Sequence, residues 1–201
     1  MITAVRLEQL AIERGGRLLF RDLTARVAAG EAMAVTGANG AGKTSLLRAV
    51  GGLLRLTAGR VVFEGATDAP DARRSACHLI GHLDGLKSAR TAREELLFQA
   101  RWAGATDESA LAAADRFVVS RQLGLEVRRL SAGQKRRLAL ARLIAAPRSL
   151  WLLDEPLAPL DSAGRDLMGE IMTAHLATGG IIVAAVHDPL PIAVRTLALV
   201  A

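Results

Sequence analysis

The stretch that most constrains this chain runs from Ala32 to Thr44. Ala32–Thr36 (Ala-Met-Ala-Val-Thr) carries no charge. It passes directly into Gly37-Ala38-Asn39-Gly40-Ala41-Gly42-Lys43-Thr44, which satisfies G-x-x-x-x-G-K-[ST] at every position. A strand with no polar face belongs inside a sheet, and the helix that follows the loop must cover one side of that sheet. The glycine loop itself suits phosphate. Its backbone N–H groups can turn inward around phosphate oxygens, and the helix start adds partial positive charge. Lys43 is expected to reach the β- and γ-phosphates and Thr44 to ligate Mg²⁺, with Ser45 counted as the last residue of the cradle.

Two further apolar runs end in chemistry. Residues 150–153 (Leu-Trp-Leu-Leu) lead into Asp154 and Glu155, and residues 181–186 lead into His187. Side chains at the carboxyl ends of parallel strands face a common crevice. Asp154 is therefore the candidate for holding Mg²⁺, and Glu155 for polarising an attacking water as general base. His187 is placed to donate to the γ-phosphate and to orient Glu155 and the water. Taken singly, each has a plain alternative: a glycine turn, two surface acids, a histidine meeting solvent. Their shared dependence on strand ends favours one site, with Lys43, Glu155 and His187 as its catalytic set.

The remaining pattern alternates strands and helices. Short strands are expected at 7–12, 23–27, 60–64, Cys77–Ile80 and 195–200, and helices at 45–54, 91–103, 107–123, 131–145 and from Asp161 towards 178. The block 87–129 is poor in strands and reads as a helical insertion between two parts of a sheet core, 1–86 and 130–201, in a single domain. Apolar residues make up 51% of the 201, enough for a packed core, and aromatics only 3%, so Leu, Val, Ile and Ala must fill it. The net charge of +6 is scattered in short pairs such as Arg73-Arg74, Arg128-Arg129 and Arg136-Arg137, which read as solvated surface. Without a basic stripe or stacking aromatics, no nucleic-acid partner is expected. The lone Cys77 is expected as a small buried core residue. No apolar run is long enough to span a bilayer and no signal peptide opens the chain, so a soluble or peripheral protein is expected.

Leu130-Ser131-Ala132-Gly133-Gln134 precedes the helix at 131–145, and Ser131 with Gln134 has capping-box spacing. Such a helix start favours an anion, yet no anion site is predicted beside it in its own chain. The phosphate loop, residues 130–134, residues 150–155, Ala158-Pro159-Leu160-Asp161 and His187 together resemble the nucleotide-binding subunit of ATP-binding-cassette (ABC) transporters over nearly the whole chain. The resemblance implies an α/β fold: a P-loop NTPase (RecA-like) core with a parallel sheet, a small antiparallel β subdomain and a helical ABC insertion. It implies ATP and Mg²⁺ as ligands. It also implies a head-to-tail homodimer, or a paired ATPase subunit, in which Ser131, Gly133 and Gln134 meet the nucleotide held by the partner's phosphate loop and Asp161 links the two sites. Arg14 stands where relatives carry an adenine-stacking aromatic; a guanidinium plane can also stack on a base.

A narrower likeness is carried by Ile80-Gly81-His82-Leu83-Asp84-Gly85-Leu86-Lys87 and by Ala132, which replaces the usual glycine of the five-residue motif. These segments resemble the cytochrome c maturation ATPase subfamily. There His82 occupies the position of the glutamine that touches Mg²⁺ and the interface with the membrane subunit. The subfamily implies integral membrane permease partners, a peripheral location on the cytoplasmic face of the inner membrane, and work on haem export or haem-chaperone release. Three alternatives are a soluble ABC ATPase acting on nucleic acid or ribosomes, an ABC ATPase for another transported substrate, and a kinase using the same phosphate loop.

Overall fold

The structure, a computed structural model, describes residues 2–199. Packing divides them into two compact units: one of residues 2–79, 148–156 and 169–199, the other of 80–147 and 157–168.

In the first unit, β3 (Ala32–Thr36), β6 (Leu150–Asp154), β7 (Ile181–Ala185) and β8 (Arg195–Ala198) form a sheet with β5 (Cys77–Ile80), in the order β5-β6-β7-β3-β8. The pairs β6–β7, β7–β3 and β3–β8 are parallel. β6 and β7 are buried at every position, as their uninterrupted apolar runs require. Edge strand β8 is mostly exposed. Helix α1 (Lys43–Val50) packs on β6 and β7 and buries Leu46 and Leu47 completely. Each of those side chains contributes about 1.5–3 kcal/mol.

A second, antiparallel sheet has the order β2-β1-β4, from β1 (Ala4–Arg14), β2 (Arg17–Ala28) and β4 (Ala58–Glu64). β1 and β2 extend beyond the expected 7–12 and 23–27 and meet at the two-residue Gly15-Gly16 turn, where Arg14 pairs with Arg17. The extra residues mix apolar side chains with charged ones because one face meets water: Arg6, Glu13, Arg14, Arg17, Arg21 and Asp22 are all exposed. Glu8 bridges Arg6 and Arg60, and Arg26 bridges Glu64 across the strands. Polar alternation hid these ends from an apolar pattern.

Three other expectations are corrected. The helix expected over 45–54 stops at Val50 because Gly51 and Gly52 follow. Helix α2 (Ala69–Ala76) was not anticipated: it buries only Ala72 and is fixed locally, by the Asp68 cap and Pro70 in its first turn. Cys77 is partly buried at β5 against the core rather than enclosed in it, and that burial pushes its thiol up to about 12. The last strand was expected to reach Val200, which lies outside the described residues.

The second unit is helical. α3 (Ala92–Trp102), α4 (Asp107–Arg116) and α5 (Ala132–Ala145) pack on one another. The expected single helix over 107–123 breaks at Val118, which has φ 55° and is exposed, so that Phe117 and Val119 on either side of it are both buried. A short 3₁₀ turn, Ser120–Gln122, follows. α6 (Ser162–Ala177) begins in this unit, where Asp161 accepts from Gly164 N–H at 3.0 Å in the capping role expected of it.

Candidate active site

Register brings the carboxyl ends of three neighbouring strands level. Ala185 of β7 lies beside Val35 of β3 and beside Asp154 of β6. The residues that follow each strand therefore emerge together: the glycine loop after β3, Glu155 after β6 and His187 after β7.

The loop after β3 is shaped for a chain without side chains. A Cβ on Gly37 would come within 2.7 Å of the Leu199 carbonyl oxygen, and one on Gly42 within 3.1 Å of the Phe20 ring. Gly42, at φ 101°, is the N-cap of α1 and offers no side chain to its orphan N–H groups. The other α-helices begin with a side-chain acceptor: Asp68, Thr91, Thr106, Ser131 and Asp161. The start of α1 is thus an α-helix start with no side-chain cap, and its donors stand open to a bound anion.

Lys43, 8% exposed, folds back into this loop. Its Nζ donates to the Gly37 carbonyl at 2.7 Å and the Ala38 carbonyl at 3.4 Å, and lies 3.4 Å from His187 Nε2. Thr44 Oγ1 donates to Asp154 Oδ2 at 2.8 Å. Glu155 has φ 49°, uncommon for a side chain of its size, and its N–H is tied to the Ala185 carbonyl at 2.9 Å. Glu155 Oε2 accepts from the His187 backbone N–H at 3.3 Å, and Oε1 lies 3.7 Å from His187 Nε2. The structure therefore brings Lys43, His187 and Glu155 into one contact chain, beside the pair Thr44–Asp154 formed by their sequence neighbours. Ala38, Asn39 and Gly40 are exposed at the loop tip, while Ala41 and Ser45 are buried. Arg14 is exposed at the end of β1.

The hydroxyl of Thr44 and the buried carboxylate of Asp154 are hard oxygen donors of the kind Mg²⁺ prefers. Among the described residues there is no cluster of three or more His, Cys, Asp or Glu that could hold a metal. Mg²⁺ is commonly bound by one or two protein oxygens together with substrate phosphates.

The second unit carries the other expected residues. His82 is exposed in the irregular segment 81–90. Ser131 caps α5 in the expected box: Ser131 Oγ accepts from Gln134 N–H at 3.2 Å, and Gln134 Oε1 accepts from Ser131 N–H at 2.9 Å. Gly133 sits close to the Pro159 carbonyl, 3.0 Å from where a Cβ would stand. Asp161 pairs with Arg137 Nη2 at 2.6 Å. That hydrogen bond, then the one from Gly164 N–H, lowers the Asp161 pKa from its ordinary value.

Sequence reasoning placed Arg136 on a solvated surface, and the structure corrects this. Arg136 is 1% exposed and donates to the Gly81 carbonyl at 2.9 Å and Asp84 Oδ1 at 2.8 Å. The helical period held the signal: 136, 139, 140 and 143 form one buried stripe of α5. Reading Arg136-Arg137 as a solvated surface pair concealed it.

A family model described as "ABC transporter" matches residues 20–158. The chain is 44% identical over 185 residues to the cytochrome c biogenesis ATP-binding export protein CcmA of Rhodopseudomonas palustris (strain BisB5), covering 92% of each chain. It is 46% identical over 187 residues to the protein of the same description from Nitrobacter winogradskyi, again covering 92% of each. Among solved structures, a bacterial Atm1-family ABC exporter with ATP bound superposes with TM-score 0.83 at 22% identity, over 98% of this chain and 37% of that one. A dimeric post-hydrolysis state of the ATP-binding cassette MJ0796, bound to ADP and Pi, gives 0.77 at 23% identity, over 92% and 88%. These two likenesses carry the fold.

Proposed function

The chain belongs to the ABC transporter family, and from that premise we propose that it is the ATP-hydrolysing subunit of the membrane complex for cytochrome c biogenesis. ATP binding and hydrolysis follow from the family. The process served is our reading, supported by identities of 44–47% over 92% of the chain to relatives described as cytochrome c biogenesis export proteins. In this reading the work is export of haem or release of a haem–chaperone complex. Residues 1–201 act as one ATPase domain, with 87–129 inserted into the core.

The observation that carries the chemistry is the contact chain Lys43–His187–Glu155 with Thr44–Asp154. Lys43 exchanges its carbonyl partners for the β- and γ-phosphate oxygens of ATP. Glu155 accepts a proton from water as the water oxygen attacks the γ-phosphorus and the bond to the ADP oxygen breaks, giving ADP and phosphate. His187 orients Glu155 and donates to the γ-phosphate. Mg²⁺ held by Thr44 and Asp154 would supply charge neutralisation at the β- and γ-oxygens. Arg14 stacks on the base through its guanidinium plane.

Two copies pair head to tail. Ser131 Oγ already accepts a hydrogen bond, which leaves its hydroxyl hydrogen to donate to the γ-phosphate held by the partner copy. Gly133 N–H is assigned to the same phosphate and Asp161 to the link between sites; Gln134 supports the motif. His82 is assigned to the metal on family resemblance. Among the described residues no helix is long and apolar enough to cross a membrane. Separate integral membrane subunits are therefore part of this reading, and the location is the cytoplasmic face of the inner membrane. The test is a pull-down of tagged Glu155→Gln from detergent-solubilised membranes with ATP. Recovery of integral membrane subunits together with haem is expected; recovery of ribosomes or RNA instead would replace this reading with the soluble one.

A further inference from the structure

We infer that Arg136 is a positioning residue that locks the His82 segment to α5, so that the Ser131 motif and His82 move as one rigid body. This rests on the reading of Ser131 and His82 as nucleotide-facing groups. α5 carries Ser131 at its start and Arg136 one turn further on, facing inward. From there the Arg136 guanidinium holds both sides of His82, at the Gly81 carbonyl and at Asp84 Oδ1. A second arginine of the same helix, the half-buried Arg142, reaches the Asp84 carbonyl at 3.5 Å. From α3, Gln99 donates to the Gly85 carbonyl at 3.1 Å and to the buried Glu95, which pairs with Arg90 at 3.2 Å.

The loop around the exposed His82 and Leu83 is thus gripped at 81 and 84 by the buried Arg136, again at 84 by the half-buried Arg142, and at 85 by Gln99. Burying a guanidinium is costly unless it is paired and hydrogen-bonded. The segment 81–85 therefore cannot leave α5 without taking two acceptors, the Gly81 carbonyl and Asp84 Oδ1, from a guanidinium that is out of water. An exposed His82 on an irregular segment gains fixed geometry from the helix that bears the partner-facing motif. Motion of α5 on nucleotide binding is delivered to His82 through Arg136 and Asp84, neither of which has to touch nucleotide.

The test compares Asp84→Asn, Arg136→Met, Arg136→Lys, the double variant Asp84→Asn/Arg136→Met and His82→Ala, reading kcat, KM for ATP and amide exchange over residues 81–86. Asp84→Asn and Arg136→Met are expected to lower kcat about tenfold or more with KM within about twofold, since misplacement far from the chemistry acts on the reacting geometry. Exchange over 81–86 rises in both, and Arg136→Lys, which keeps the charge opposite Asp84, recovers most of kcat. The double variant is no worse than Arg136→Met alone, because the two act through one contact. If Arg136→Met does not fold, the partly exposed Asp84 still decides the matter. A folded Asp84→Asn with faster exchange and unchanged kcat, or with its loss confined to KM, overturns the inference. His82→Ala separates the two claims: if it turns over normally while Asp84→Asn is slow, the assignment of His82 fails and the role of Arg136 stands.

Discussion

Two helix starts in this molecule solve the same problem in opposite ways. α5 begins with a complete capping box, in which Ser131 and Gln134 occupy two of its orphan N–H groups. α1 begins at Gly42 in a left-handed conformation with no side-chain cap, and the cation next to it, Lys43, leans on carbonyls of its own loop. A capped start has two of its four donors satisfied without a ligand. An uncapped start beside a buried lysine keeps donors and charge for an anion. In the proposed function, the difference separates the end assigned to a phosphate within its own chain from the end whose hydroxyl is assigned to a phosphate held by another copy.

Substitutions sharpen this contrast in decreasing order of effect. Glu155→Gln leaves α1 open and removes the base; turnover should fall roughly a thousandfold with ATP still bound and dimer accumulating. A monomer with undiminished turnover would refute the shared site. Lys43→Ala should weaken ATP binding at least about a hundredfold, as expected for removing a buried cation from its phosphate; unchanged affinity by calorimetry would deny α1 its role. Gly42→Ala forces a side chain into the left-handed region against Phe20 and should cost about 1–3 kcal/mol in denaturant melts as well as ATP affinity.

Ser131→Ala removes one half of the capping box and should cost about 1 kcal/mol of stability. Hydrolysis should fall further than that loss explains. If only stability changes, the start of α5 is a plain capped helix.

The smallest effect is in pH. His175 stacks on Trp151 with ring centroids 3.7 Å apart, and burial lowers its pKa from the ordinary 6.5. Because the folded pKa is the lower one, the native state binds fewer protons than the unfolded chain. The contribution of His175 is complete above 6.5 and is lost as pH falls through the folded pKa. Melts of wild type and His175→Gln should therefore converge on acidification; parallel curves would assign no role to this histidine.

What could be read from the chain divides along similar lines. Lys43, Thr44, Asp154, Glu155 and His187 sit where apolar strands end, so period and motif marked them, and the parallel register then joined them. Arg136 was concealed because its partners, Gly81 and Asp84, are more than fifty residues away and its neighbours Lys135 and Arg137 suggested a charged surface. α2 was missed because it has almost no apolar face, and the break at Val118 because burying Phe117 and Val119 together overrode helix propensity.

In the proposed function, one phosphate site is built by two copies. Mixing Lys43→Ala chains with Ser131→Arg chains tests it directly. Each variant alone should be inactive. In a mixed pair, the intact Lys43 of one chain meets the intact Ser131 of the other, so equal mixing should restore about a quarter of wild-type turnover, from half the dimers with one working site of two. No recovery from mixed pairs of proven stoichiometry, or full activity of Ser131→Arg by itself, would contradict the account.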